Sequence, residues 1–482
     1  MAGLLSRLAA DGHRPVVFYD VYEAENLASF PDWLEVRQVK LEGIENPLLN
    51  PIVGDLLWRQ SGSVLSLAFV WSAVVENLRR LVLHQRQQLD QALRPADNSS
   101  STWNALHKRA PAASDSLFNP AGPLFAGALG MPHVMFHTSV LDTPVGAWYK
   151  GLHWPGFVAN PPTYLRPDEV EHWRPTRFFS RWRSFADFVG ALFVYEGPVG
   201  WAVKRLLAEY EVFDMTMGQF YRGAQLHLVE FPYKATWPVP ISNEVLELGP
   251  DCIDGRQAGL RRHKEIAAFV DDPDSEGTIV ASFGSVVSHD IVPEDILGHL
   301  IALLTHERFR QYRILWSYNG KPLKLPPHVM TAKWLPQKEL LSHPKTALFI
   351  SHGGLKSFKE ALCAAVPTVF IPLFAEQPLN SYNGLRRGWS YHLNKFNLDK
   401  TERLAETVAE ALQNAHSLRR RAAQLRNIWA DSVVPQTEVA AFRVNQLLRR
   451  EDGRLPDAYF KWQKETSVDP LVPFVVASIV LA

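Results

Sequence analysis

The stretch Ala347-Leu348-Phe349-Ile350-Ser351-His352-Gly353-Gly354 constrains the fold more than any other in this chain. A short, uninterrupted apolar run of this kind reads as a strand buried on both faces. It stops at two glycines, which allow dihedrals and close backbone approaches that other residues resist. A helix is predicted to begin at once, over 355–364. Strand, tight turn and helix in this order belong in a parallel sheet with helices on both faces. The helix start, with its unpaired N–H groups and positive dipole end, then faces whatever sits over the strand's carboxyl end. A phosphate fits that place, with His352 and Ser357 as added donors.

The neighbouring residues extend the same pocket. Glu360 lies one turn beyond Ser357, where a carboxylate can accept two hydrogen bonds from the vicinal hydroxyls of a ribose. Trp334 offers a flat face for a base, and Gln337 carries donors and an acceptor that can read the base edge or the ribose. Glu376 and Gln377 follow another strand and form a polar pair suited to sugar hydroxyls. Gly284 and Ser285 end the strand Thr278–Phe283 in a small-residue turn whose N–H groups can reach a diphosphate. Taken singly, Trp334 and His352 fit core packing and Glu360 fits an ordinary helix start. Together the set describes a nucleotide-diphosphate-sugar pocket.

The rest of the second half alternates in the same way. Strands are predicted at 278–283, 313–317 and 368–371, helices at 293–307, 401–414, 416–430 and 436–449. In the first half we expect a helix over Leu4–Ala10, strands at Pro15–Tyr19, Pro132–Phe136, Gln225–Phe231 and Glu244–Leu248, and a core helix in Val64–Val75. Residues 94–114 read as a polar loop, 123–129 as helix-like, and 150–190 as an irregular region rich in Pro, Trp and Arg. Residues 249–257 have linker composition. The chain is therefore read as α/β, with domains at 1–250 and 258–450 and a membrane-proximal segment at 451–482.

Several function classes are excluded or disfavoured. Lys+Arg and Asp+Glu number 50 each, so no net field draws the chain to nucleic acid. Two cysteines, Cys252 and Cys363, exclude a disulfide-dense scaffold and leave the redox compartment open. His133 and His137 have the spacing of zinc ligands on a helix, but they sit on a predicted strand without a third ligand, so core packing is the better reading. Ser288-His289-Asp290 are consecutive and cannot form a hydrolase triad among themselves. Arg419-Arg420-Arg421 read as a solvated helix face. No G-x-G-x-x-G follows the first strand, which disfavours a nicotinamide oxidoreductase. No signal-peptide core is present at the start. The uncharged run Leu471–Ala482 is about a dozen residues against the roughly 20 of a membrane span, so it reads as a partial anchor or a tail docked on the protein's own surface.

The block 334–388 resembles the signature of the UDP-glycosyltransferases, the family that includes the UDP-glucuronosyltransferases. The likeness rests on Trp334, Pro336, Gln337, His343, Pro344, Phe349, Ile350, His352, Gly353, Gly354, Ser357, Glu360, Ala361, Val366, Pro367, Gln377 and Asn380, and continues through 269–285 and more weakly through 160–167. It implies two Rossmann-like domains facing across a cleft, the GT-B arrangement. Trp334 would stack on uracil and Gln337 contact the nucleoside. His352, Gly354, Ser357 and the Gly284-Ser285 turn would hold the diphosphate, Glu360 the ribose, and Glu376 with Gln377 the donor sugar. Glu376 stands where the family has Asp. Ala365 stands where it has Gly, which we expect to be a matter of packing.

The resemblance implies an inverting transfer of a sugar from UDP-sugar to a small lipophilic acceptor, with neither metal nor resident cofactor. An acceptor-activating His would fall just upstream of Met1, and Asp115 resembles its orienting Asp, the alternative being a turn or helix-cap aspartate. The missing His motivates a second expectation, a catalytically silent UDP-sugar-binding or partner homologue. An endoplasmic-reticulum membrane setting through the incomplete C-terminal anchor, and a homo-oligomer, follow from the same likeness.

Overall fold

In the computed structural model, parallel sheets carry both halves of the chain. The structure describes residues 2–13, 16–21, 33–40, 51–61, 112–115, 133–139, 161–208 apart from 163, 221–237 apart from 222, 244–250, 259–284 and 288–450, and the single positions 75, 79, 218 and 252. α1 (Ala2–Ala10) leads to β1 (Val16–Val21), which pairs in parallel with β2 (Glu35–Lys40), and α2 (Pro51–Arg59) follows. A second parallel sheet has the order β3-β4-β5-β6, from β3 (Ala112–Asp115), β4 (His133–His137), β5 (Ala224–Val229) and β6 (Val245–Glu247). Between β4 and β5 in sequence lie α3 (Phe178–Val194) and α4 (Gly200–Ala208).

The second half opens with α5 (Lys264–Val270) and β7 (Thr278–Ser282), then α6 (Glu294–Leu304), β8 (Arg313–Ser317), β9 (Val329–Ala332), α7 (Gln337–Leu341) and β10 (Thr346–Ser351). It continues with α8 (Leu355–Ala364), β11 (Thr368–Phe370), α9 (Gln377–Arg387), β12 (Ser390–His392), α10 (Thr401–Gln413), α11 (Ala415–Ala430) and α12 (Gln436–Arg449). Its sheet has the order β12-β11-β10-β7-β8-β9, every pairing parallel. The order runs outward both ways from β7 and β10, so the chain reverses its winding between these two strands. Ligands of open α/β sheets bind outside the carboxyl ends of the strands at such a point.

Side-chain alternation explains why these strands are apolar at every position. Ile279, Ala281, Ile314, Trp316, Leu348 and Ile350 face one side with Leu300 of α6 and Val408 of α10. The intervening Val280, Leu315 and Phe349 face the other with Phe358 of α8 and Trp429 of α11. A strand covered on both faces needs no polar alternation.

Contacts from several segments join the halves. α12 leaves the second half and packs Ala440, Ala441 and Val444 against Leu4 and Leu8 of α1 and Phe136 and Leu228 of the first-half sheet. Lys395, before α10, donates to the carbonyls of Leu57 (2.5 Å), Gln60 (2.7 Å) and Leu373 (2.6 Å), pinning α2 beside β11. A disulfide links Cys252 to Cys363 of α8 across a sequence separation of 111 residues.

Where structure and expectation differ, the causes are local. The end of the expected 94–114 loop forms β3, whose small residues Ala-Ala-Ser carry little intrinsic strand signal and gain order by pairing with β4. From Phe178 the expected irregular region is helical, its period hidden because both faces of α3 are apolar. Arg419 and Arg421 are not a solvated face: they donate to the carbonyls of Thr346 (2.9 Å) and Arg387 (2.8 Å), and Arg420 is the exposed one. α9 had no apolar period to find, because it buries Asn380, Ser381 and Asn383. The expected helices at 64–75 and 123–129 fall outside the described residues, apart from Val75 itself.

Glu247 is a buried carboxyl on β6. Burial lifts it to about 7, against the opposing charge of Lys234. A carboxyl whose folded pKa is raised holds a proton that the unfolded chain releases, so stability falls as pH climbs from about 4.5 to 7 and stays reduced above. Glu247→Gln is therefore expected to unfold about 2 kcal/mol harder than the parent at pH 8 and alike at pH 4. Denaturant midpoints at the two pH values check this, and equal midpoints at pH 8 would refute it.

Candidate functional site

The turns after β7 and β10 meet at the winding reversal. Ser351 ends β10 beside Ser282 of β7, so His352-Gly353-Gly354 lies against Gly284. A Cβ on Gly284 would come 2.7 Å from His352 Cε1 and Nε2, and one on Gly354 would come 2.6 Å from Nε2. The imidazole thus lies between two glycines because nothing larger leaves it room. Gly353 has φ +84°, its N–H donates to Ser351 Oγ (3.2 Å), and its carbonyl accepts from Asn380 Nδ2 (2.8 Å). Burial pulls the imidazole down to about 4, only partly opposed by a backbone hydrogen bond at Ser282. His352 is therefore neutral at physiological pH, a hydrogen-bonding group rather than a fixed positive charge.

α8 starts immediately, with Gly354 as its N-cap. Ser357 is buried in its first turn and Glu360 lies one turn on. Gln337, at the start of α7, donates to Glu360 Oε2 (2.6 Å) and to Ser357 Oγ (3.1 Å). Both donors of the Gln337 amide are thus spent on holding those two side chains, so its carbonyl oxygen is what remains to read a base or ribose. Burial raises the Glu360 carboxyl, against the Gln337 bond and the charges of Lys338, Lys359 and Lys356. Trp334, on the turn after β9, is 74% exposed and presents an uncovered ring.

Glu376 and Gln377 are placed differently from one another. The Glu376 carboxylate is buried, and its Oε1 accepts from the Leu355 N–H (3.3 Å), one of the orphan donors at the start of α8. Ser139, just beyond β4, bonds the same carboxyl, whose pKa burial raises. Gln377 Oε1 accepts from the N–H groups of Leu373 (2.9 Å) and Phe374 (3.1 Å), leaving the amide nitrogen for a ligand. Ser139 carried no sequence signal of its own. Nor did the pair Glu230–Lys359 (2.6 Å), which joins the end of β5 to α8. Burial favours the neutral form of Glu230, but the ammonium of Lys359 holds it below the usual range.

Ala365 and Ala375 are the non-glycine residues with positive φ among the described residues, at 53° and 56°. Ala365 caps α8 in the left-handed conformation, so its replacement of glycine is a backbone matter and not one of packing alone. The left-handed strain costs about 1–2 kcal/mol, and the buried methyl returns roughly 0.8 kcal/mol. Roughly half of the cost is thus offset in place.

Asp115 is the last residue of β3, in register with Phe136 of β4, at the carboxyl edge of the first-half sheet. It is a strand end and neither a turn nor a helix-cap aspartate. Ser285 lies outside the described residues. His133 and His137 are buried on β4, with His137 Nε2 2.8 Å from His227 Nδ1 on β5. His289 bonds Asn319 Oδ1 (2.6 Å) and not a serine.

Comparison with known proteins agrees with this geometry. The family described as "UDP-glucoronosyl and UDP-glucosyl transferase" matches residues 183–482. The chain is 33% identical to a UDP-glucuronosyltransferase of Pleuronectes platessa over 271 residues, 55% of each protein. It is 26% identical to UDP-glucuronosyltransferase 1A1 of Homo sapiens over 374 residues, 75% of this chain and 65% of that one. It therefore spans about half to two-thirds of the length of these curated relatives. Among solved structures, Os79 from O. sativa in complex with UDP superposes with TM-score 0.59 at 18% identity, covering 92% of this chain and 96% of that one. That likeness bears on the fold: two Rossmann-like domains in the GT-B arrangement, as the sequence analysis expected.

Proposed function

The chain belongs to the UDP-glucoronosyl and UDP-glucosyl transferase family, and from that membership we propose that it transfers a sugar from a UDP-sugar to the hydroxyl of a small lipophilic acceptor, with inversion. One observation carries the reading: at the winding reversal, a neutral imidazole seated between two glycines adjoins a helix start and the Gln337–Ser357–Glu360 set. His352, the Gly284 turn and the start of α8 would take the diphosphate, Glu360 the ribose and Trp334 the uracil. Glu376 and Gln377 would face the sugar.

The acceptor oxygen attacks the anomeric carbon as the bond to the diphosphate oxygen breaks. The displaced oxygen gains negative charge, which the N–H groups at the α8 start stabilise, joined by the single N–H of the neutral His352 ring once it turns from the Ser282 backbone to the ligand. Asp115, on the acceptor side, would orient the base that takes the hydroxyl proton. Attachment to the endoplasmic-reticulum membrane belongs to the same reading.

Calorimetric titration with UDP should show saturable binding, and a UDP-sugar with a phenolic acceptor should release UDP. Binding without release would leave only a UDP-sugar binder; absence of binding would sink the reading. Gly354→Ala places a methyl against His352 while α8 keeps its backbone. UDP affinity should fall about tenfold, ~1.4 kcal/mol, and Tm should fall modestly, because the imidazole must shift to admit the methyl. Unaltered affinity would move the diphosphate elsewhere.

A further inference from the structure

Lys395 is buried at the start of a 3-10 turn, Lys395–Asn397, shortly after β12. An ammonium has three donors and no acceptor. Here they meet three carbonyls, those of Leu57 (2.5 Å), Gln60 (2.7 Å) and Leu373 (2.6 Å). Burying a charge is costly even when its hydrogen bonds are made, and an apolar side chain would fill the same place without that cost. The matched donors and acceptors therefore point to a role in position rather than in packing.

The acceptors come from both halves of the chain. Leu57 lies in the last turn of α2 and Gln60 just past it, where carbonyls lack helical partners and the dipole favours a cation. Leu373 stands in the loop from β11 to α9. Its peptide with Phe374 is gripped at both poles: the carbonyl accepts from Lys395, and the Phe374 N–H donates to Gln377 Oε1 (3.1 Å). Beyond it, Ala375 is left-handed and the Glu376 carboxylate takes the Leu355 N–H. One side chain thus ties the loop that carries Glu376 and Gln377 to the end of α2.

Neighbouring charged and titratable groups are mostly engaged elsewhere. Arg59 of α2 pairs with Asp55 (2.8 Å) and Asp295 (2.6 Å), and His392 of β12 bonds Ser381 Oγ (2.9 Å). Asp399 and Lys400, past the turn, are exposed. Burial pulls the Lys395 ammonium down to about 7, against the charge of Asp168 on the turn Pro167–Glu169. The third donor is therefore present below about pH 7 and lost above it, where a lone pair of the neutral amine faces a carbonyl oxygen.

We propose that Lys395 is a positioning residue for the transfer step: it holds the loop Leu373–Gln377, and with it the donor sugar, in place against the acceptor half through the end of α2. The inference rests on the reading that Glu376 and Gln377 face the sugar.

The full chain, assayed at pH 6 with a UDP-sugar and a phenolic acceptor, tests it in Lys395→Met and Lys395→Gln. In Lys395→Met kcat should fall ~10- to 100-fold, the loss expected when reacting groups shift by about 1 Å. KM for the UDP-sugar and the dissociation constant for UDP should stay within about threefold of the parent, since the diphosphate and uridine contacts are elsewhere. Lys395→Gln keeps two N–H donors and should fall between. It cannot titrate, so the ratio of parental to Gln kcat should shrink as pH rises from 6 to 8.5. Parental kcat in Lys395→Met would overturn the inference, as would a rise in KM with kcat unchanged. If the Met variant does not fold, the Gln ratio decides, and a ratio flat in pH would overturn it. A parent that binds UDP but transfers no sugar would overturn the transfer reading and this inference with it; the other outcomes overturn this inference alone.

Discussion

His352→Ala should raise the dissociation constant for UDP-sugar about 100-fold, ~2.7 kcal/mol. In the proposed complex the one N–H of the neutral imidazole would leave the Ser282 backbone and donate to the diphosphate, and a hydrogen bond to a charged group is worth about 1.5–3 kcal/mol. Its loss also leaves space between Gly284 and Gly354 that alanine does not fill, so the turn loses its geometry with its donor. Stability should change less, because the ring faces a ligand place and not the core clusters. The pH profile adds a second readout. Burial keeps the imidazole near 4, so it is neutral from pH 5.5 to 8, and the diester-like diphosphate of a UDP-sugar does not titrate there either. Parental affinity should be flat across that range. A steep loss of affinity as pH rises through 6.5 would mean that His352 binds as a cation and would contradict the half-buried, neutral ring. Calorimetry with a UDP-sugar at several pH values reads both effects.

The turn around His352 was legible because its signals are local. An apolar run, two glycines and an amphipathic helix stand within one short segment, and each is read by its own rule. Gln337, Ser357 and Glu360 were readable for the same reason, since α7 and α8 bring them together within one strand crossing. What sequence did not disclose depends on segments far apart in the chain. The bond from Ser139 to Glu376 and the pair Glu230–Lys359 exist only once the first-half sheet abuts α8. The left-handed Ala365 and Ala375 were also hidden, since alanine is the residue least expected there. Lys395 reads as a surface lysine until three carbonyls from two distant segments surround it. Gln337 shows the intermediate case: its identity led us to expect a ligand contact, and its geometry shows that it holds Glu360.

Replacing both cysteines, Cys252→Ser with Cys363→Ser, should lower unfolding stability by about 4–5 kcal/mol. The bridge closes a loop of 111 residues, and chain entropy for a loop near that length is worth roughly 4.7 kcal/mol. The loop spans the whole passage from the end of the first-half sheet through β7, β8, β9 and β10 into α8, so its closure restricts most of the second-half sheet in the unfolded chain. Cys363 lies at the far end of α8 from the donor turn, two residues before Ala365. The N-terminal turn of α8 is held separately, by Glu376 at Leu355 and by Asn380 at Gly353. The variant should therefore bind UDP within about threefold of the parent, a difference under ~0.7 kcal/mol, while melting well below it. Dithiothreitol on the parent should reproduce the loss and leave the variant unmoved, which separates the covalent link from the packing of two small side chains. Equal melting of parent and double variant would show that the folded contacts alone position α8. A collapse of UDP binding at temperatures where both remain folded would show instead that the bridge sets the donor turn through the length of the helix.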